Sequence, residues 1–267
     1  MKLRPVAGIV LRQVYLLRGS PVRVFPMVTW VAIDIVLWGF ITRYLNSVSG
    51  SGVNFVPTLL GGVLLWDFCT RIMQGVSTAF LEDVWSRNFL NLFASPLSIS
   101  EYITGLVITS MMTSFIGLLV MLALATGVFH LQFFSLGAPL AAFLMVLFVF
   151  GITLGILGSA IVLRFGPASE WLLWPLPALL SPFAAVFYPL SVLPHWMQWV
   201  AHALPPAYVF EGMRSLLRGH AFPALLLAQG AAIAAAELLV AAYCYSRVYR
   251  HAVRSGLLAR YSAEGAA

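Results

Sequence analysis

Asp34, Asp67, Arg71 and Glu237 stand inside stretches of sequence that are otherwise almost wholly apolar. A charge at the centre of a bilayer costs about 2.5–3.5 kcal/mol on insertion scales, so such side chains face protein or water and are functional candidates. Asp67 and Arg71 are four residues apart and share one helical face, close enough to pair. The pair either locks neighbouring helices or lines a substrate path. Asp34 and Glu237 are isolated acids at membrane depth; each is either protonated or paired with a polar group on another helix. A proton relay through them has no histidine or lysine within the apolar stretches to accept the proton.

Other chemistry is sparse. The chain has one lysine, Lys2, so the G-x-x-x-x-G-K-[ST] loop that cradles nucleotide phosphates is missing and ATP cannot be bound by that route. No G-x-S-x-G elbow or H-E-x-x-H pair occurs. His195 and His202 are seven apart, with His220 farther on, but no cysteine or clear carboxylate completes a metal set, and they read as interfacial or hydrogen-bonding histidines. Cys69 and Cys244 each lie in apolar sequence and form no disulfide framework by spacing. No catalytic, cofactor-binding or metal-ligating residue is expected, and the chain reads as a conduit.

The elements that hold these residues are membrane elements. Hydrophobic residues make up 61% of the chain and charged residues 9%, against about 25% charged in a soluble domain. So much apolar surface must face lipid. The net charge of +6 comes from basic residues gathered mostly near the ends, where they suit anionic headgroups and not a nucleic-acid groove. Six stretches are long enough to cross a bilayer: 24–45, 57–80, 102–129, 137–163, 171–192 and 222–246. The first is of full spanning length with no small-residue cleavage site after it, so no cleavable signal peptide is expected. The lysine and arginines at positions 2 to 23, Arg87, Arg164 and the arginines at 247, 250, 254 and 260 all fall on one side of a six-span chain. Arg43 and Arg71 lie within spans, and Arg214 and Arg218 fall on the opposite side. The asymmetry places both termini in the cytoplasm.

Three segments are not spans. Residues 1–22 carry Lys2, Arg4, Arg12 and Arg18 around Val6, Ile9, Val10, Val14 and Leu17, an amphipathic interfacial helix that Gly19-Ser20-Pro21 ends. Residues 80–100 read as a cytoplasmic amphipathic helix, with Leu81, Val84, Trp85, Phe89, Leu92 and Phe93 on one stripe and Glu82, Asp83, Ser86, Arg87 and Asn91 on the other. Ser95-Pro96 stops it. Residues 194–219 form two short apolar halves split by Pro205-Pro206, which reads as a helical hairpin dipping into the outer leaflet, with Trp196, Trp199 and Tyr208 at interfacial depth. Glu211, Arg214 and Arg218 share a face there, either pairing with one another or meeting a charged headgroup or substrate. Residues 247–267 form a basic tail. No internal repeat marks a two-half secondary transporter.

The order of these features resembles the type-2 ABC transporter permease family, the membrane subunits of bacterial exporters. The resemblance rests on the basic N-terminus, the six-span order, FLEDVWSRNFLNLFASPLSISEYITG after the second span, and FYPLSVLPHWMQWVAHALPPAYVFEGMRSLLRG before the sixth. Relatives often carry Asn-Pro at the hairpin break, where this chain has Leu204-Pro205-Pro206. The resemblance implies an all-α integral membrane fold with six transmembrane helices, an N-terminal amphipathic interfacial helix, a cytoplasmic coupling helix and an external re-entrant helical hairpin. It implies that Glu82, Asp83, Trp85, Arg87, Phe89 and Asn91 dock on a separate ATPase, and that Pro205, Pro206, Tyr208, Glu211 and Arg214 belong to the hairpin. Two permease chains would join two ATPase chains in the bacterial inner membrane, with ATP and Mg held by the ATPase and an amphipathic or lipid-linked glycan, lipid or drug as cargo. Two other readings stay open: an ion- or proton-coupled carrier using Asp34, Asp67 and Glu237, and a membrane enzyme working at His195 and His202.

Overall fold

In the computed structural model, residues 3–48, 56–86, 88, 91–92, 95–130 and 137–257 are described, and among them every regular element is helical. The chain runs through α1 (Leu3–Gly19), α2 (Pro21–Val48), α3 (Gly61–Trp85), α4 (Ile99–Phe129), α5 (Ala138–Phe165), α6 (Leu176–Leu180), α7 (His195–His202), α8 (Pro205–Leu217) and α9 (Ala224–Arg254). A π-turn at Val56–Leu60 leads into α3, and 3-10 turns occupy Pro167–Leu172 and Leu190–Val192. Five segments are long and apolar enough to cross a membrane: Thr29–Val48, Val56–Trp85, Ile99–Phe129, Ala138–Phe165 and Ala224–Arg254.

α3 and α5 form the centre. Each is 61% buried over its most apolar stretch, against 22% for α2 and α9, so the latter two are the flanks that offer apolar surface outward. Lipid tails are as apolar as leucine and give helices no hydrophobic reason to associate, so close backbone approach must supply dispersion contacts instead. The sequence provides for this with small residues one turn apart. A β-carbon at Gly151 would meet the Cys69 carbonyl oxygen at 2.7 Å, and one at Gly155 would meet Val76 Cβ at 2.7 Å. On the other side of α3, Gly75 leaves room for Ser110 of α4, whose hydroxyl donates to the Ile72 carbonyl at 2.8 Å. α1 packs along α4, burying Val6 and Ile9, with Ile9 seated over Gly105. It is a docked helix, joined to α2 through Ser20 as the Gly-Ser-Pro break predicts.

Two expectations need correcting. The stretch 171–192 is not a continuous helix: it breaks into the 3-10 turn at Pro167–Leu172, the five-residue α6, irregular turns and the 3-10 turn at Leu190–Val192. Pro175, Pro177, Pro182 and Pro189 explain this, since each removes a backbone donor and restricts the residue before it. The stretch 80–100 is not one separate amphipathic helix either. α3 continues through Trp85, so Phe80, Leu81 and Asp83 are buried parts of that span. The chain turns at Ser86, bends at Ser95-Pro96 and enters α4. There Ser98 Oγ accepts from the Glu101 amide at 3.4 Å and Glu101 Oε2 accepts from the Ser98 amide at 3.1 Å, a capping box.

The α3–α5 contact should tolerate no side chain at its closest points. Gly151→Val or Gly155→Val is expected to cost about 1–3 kcal/mol through forced separation of the two helices, read as a lowered unfolding temperature in detergent. Gly127→Ala, at a helical position with open space around it, is the control and should not lower that temperature.

Candidate functional site

At one end of the bundle, four helices converge on a buried carboxylate. Asp83, near the last turn of α3, has no exposed side-chain surface. Arg12 of α1 grips it with both guanidinium nitrogens, the Nη1 contact being 3.2 Å, and Tyr102 of α4 donates its hydroxyl to Oδ2 at 2.7 Å. Tyr245 of α9 packs edge-on against Phe80 with ring centroids 6.5 Å apart, and its hydroxyl is near enough to Tyr102 to interact electrostatically. Burial opposes the Arg12 charge, but the hydrogen bonds and charge of Asp83 outweigh it and hold the guanidinium above its ordinary range. Arg12 is therefore held as a cation beside Asp83.

The α3–α4 turn emerges from this node. Trp85, expected on an apolar stripe, is 52% exposed and donates its indole N–H to Glu170 Oε2 at 2.8 Å, tying the turn to the segment that follows α5. Asp83, expected on the exposed polar face, is the buried anchor instead: its partner lies 71 residues away in sequence, which local periodicity cannot register. Glu82 is half-buried and Asn91 exposed. Arg87 and Phe89 lie outside the described residues.

The intramembrane charges form a second group. Arg71 Nε donates to Asp67 Oδ2 at 2.6 Å, and both side chains are largely buried, so the expected pair is present. Asp34 of α2 interacts electrostatically with both. Arg71 crosses to α4 beside Gly117, where a β-carbon would lie 3.3 Å from its Cδ. Ser114, between Gly117 and Ser110 on the face of α4 turned to α3, has a buried hydroxyl with no hydrogen-bond partner among the described residues. Three helices thus meet at one polar site within the apolar layer. Glu237 of α9 is separate, and its Oε2 is buried without a partner among the described residues.

At the far end, α7 and α8 form a helical hairpin. Leu193, Ala201 and Ala207 make its small core, and Tyr208 donates to the His202 carbonyl at 2.9 Å. Pro205 and Pro206 begin α8, at positions whose missing N–H groups would lack a partner in any helix. Glu211 accepts from the Leu190 amide at 2.7 Å and from Arg214 at 3.1 Å, while Arg214 Nη1 donates to the Ala185 carbonyl at 2.8 Å. Ala185 has φ of +54°, a left-handed conformation that costs a non-glycine residue roughly 1–2 kcal/mol. The Glu211–Arg214 pair holds the proline-rich chain in that shape, so mutual pairing is the outcome for these two, while Arg218 is exposed. Among the described residues no group of histidine, cysteine and acidic side chains could hold a metal ion.

The family model of the ABC-2 type transporter matches residues 21–217, which takes in every span but the last together with the turn and the hairpin. The chain belongs to the ABC-2 type transporter family. It is the membrane subunit of an ABC transporter, in a family of permease subunits that lack the nucleotide-binding domain and work with an ABC ATPase. No curated protein matches the chain.

In the permease, the Asp83 node makes the end of α3 a joint shared by α1 and α4. Arg12→Ala leaves the carboxylate buried and uncompensated and is expected to cost about 3 kcal/mol. Tyr102→Phe should cost about 1–2 kcal/mol. The double variant Arg12→Ala/Asp83→Ala should lose much less than the sum of the single losses, measured by thermal unfolding of the solubilised permease. Additive losses would show that the two side chains do not act as a pair.

Proposed function

We propose that this permease is half of an ATP-driven exporter, and that force from an ATPase enters at the α3–α4 turn. The observation that carries the reading is the node itself: the turn leaves a buried junction of α1, α3 and α4 beside α9, so a push on residues 82–95 is delivered to several helices at once. Packed helices respond as rigid bodies with discrete arrangements, which suits alternating closure and opening of a path. Glu82, Trp85, Arg87, Phe89 and Asn91 are the residues assigned to the docking surface. Asp83 acts behind them as the anchor.

The course of the chain supports six crossings. α3 passes from Gly62, beside Val186, to Trp85, bound to Glu170, a rise of about 34 Å at 1.5 Å per residue. Residues 170–186 therefore travel the same height in the opposite direction, as a broken crossing with Leu173, Pro177, Ala184, Ala185 and Val186 buried against the protein. Irregular backbone at membrane depth needs cover from protein, which a second copy would supply for the exposed Trp171, Leu172 and Leu179. An even number of crossings puts both termini on one side, and the basic residues make that side cytoplasmic. The α7–α8 hairpin then lies at the external end as a re-entrant element of an inner-membrane protein.

Two copies complete the pore in this reading, each with an ATPase chain that holds ATP and Mg. Asp34, on the sparsely buried α2 and next to the Asp67–Arg71 pair, lies along the proposed path between copies. An amphipathic or lipid-linked cargo suits a path with apolar walls and one charged station.

Purification from native membranes is expected to bring an ATPase with the permease. Charge reversal at Glu82 and Arg87 together should abolish that association and ATP-dependent export while the folded permease is still recovered in detergent. If both survive the reversal, or if a pH gradient drives transport in vesicles with no ATPase present, the proposal fails.

A further inference from the structure

The last turns of α9 carry a basic groove that neither the node nor the docking surface uses. It measures about 350 Å³ and is lined by Arg247, Arg250, His251 and Arg254. All four side chains are exposed. His251 also meets Arg164 of α5 at 3.2 Å, so cationic groups from two helices share one surface. Among the described residues, none of the three α9 arginines makes an ion pair. Arg250 donates only to the Ser246 carbonyl at 3.2 Å, and Arg247 lies over the Tyr243 ring, 5.9 Å from its centroid.

The stripe of α9 that bears these arginines continues as apolar surface. Leu239, Tyr243, Arg247, Arg250 and Arg254 follow three-and-four spacing on one face, and Leu239 and Tyr243 are 72% and 61% exposed. From Leu239 to Arg254 the helix rises about 22 Å. The lower part of this stripe matches an acyl chain. Its upper part presents planar, weakly hydrated guanidinium groups, which bind phosphate oxygens with two parallel hydrogen bonds. Tyr243 sits at the boundary, where an aromatic ring is at home in the headgroup layer.

We infer that this face of α9 is a binding site for an anionic phospholipid, with the headgroup phosphate held by Arg247, Arg250 and Arg254 beside His251 and the acyl chain laid along Leu239 and Tyr243. The inference needs only that the chain is a membrane protein, and it stands or falls separately from the ATPase reading. A site differs from diffuse attraction between basic ends and anionic membranes in being local, in needing both parts of the lipid, and in discriminating against a zwitterionic headgroup.

The test titrates delipidated permease in detergent with phosphatidylglycerol, phosphatidylcholine or inorganic phosphate and counts bound lipid by native mass spectrometry. Phosphatidylglycerol should bind the wild-type chain, and Arg250→Gln/Arg254→Gln should weaken it about thirtyfold, the loss expected for two arginines near a charged surface. Arg4→Gln/Arg18→Gln, which removes equal charge from exposed positions of α1, should leave the affinity unchanged. Equal weakening by both double variants, equal binding of phosphatidylcholine, or displacement of the lipid by inorganic phosphate alone would each overturn the site. If the α9 double variant does not fold, Arg254→Gln alone is read the same way, with about fivefold weakening expected.

Discussion

A carboxylate with no exposed surface is tolerated only when its charge and lone pairs are satisfied, and much of this permease is arranged around satisfying Asp83. Taking that ion out of water costs several kcal/mol before any partner is counted. Arg12 supplies the opposite charge and Tyr102 a further hydrogen bond. Both donors must be carried to it by other helices, so α1 is docked along α4 and α4 is started within reach of α3. The pair stabilises the bundle little relative to an apolar contact of similar size, but it allows one register of these helices and penalises others. That is a useful property at a joint proposed to transmit displacement.

Above the joint, α3 serves as a mast. One face takes α5 through glycine contacts and the other takes α4 through Gly75 and Ser110, so both neighbours approach its backbone closely. The charged residues Asp67 and Arg71 sit on the same helix farther up. In the proposed coupling, displacement of the α3 end by an ATPase would be communicated along a stiff rod to the polar site where α2, α3 and α4 meet. Close-packed helices cannot bend continuously to absorb such a displacement, which links the docking end to the proposed path without any intermediate device.

The readable parts of the sequence were those that depend on local spacing. The Asp67–Arg71 pair follows from a separation of four, the break between α1 and α2 from Gly19-Ser20-Pro21, and the long helices from uninterrupted apolar runs. The burial of Asp83 is not legible, because helical periodicity sorts residues into faces but cannot tell which face another helix will cover. Hydropathy gives 171–192 the length of a crossing but says nothing of its continuity, which its four prolines argue against. The start of α4 has a local signal, since Ser98-Ile99-Ser100-Glu101 is a capping-box pattern, and it marks where the turn ends. The role of Arg214 in holding Ala185 was out of reach, since nothing local announces a left-handed alanine 29 residues away.

The family match and the fold leave one physical question, why the flanking spans carry acids at all. Asp34 lies on α2 and Glu237 on α9, the two least buried spans. A carboxylate turned to acyl chains would be neutralised or expelled at a cost of a few kcal/mol. Asp34 stands near charged groups of its own chain, since Asp67 and Arg71 both act on it electrostatically. Glu237 differs, because its Oε2 is buried without a partner among the described residues. Within the proposed dimer the two acids then divide: Asp34 belongs to the charged station on the path, and Glu237 is the group whose partner a second chain or a bound molecule must supply. Among the described residues Glu237 is thus an acid whose buried Oε2 the fold of one chain does not satisfy, and the proposed assembly has to be judged against it.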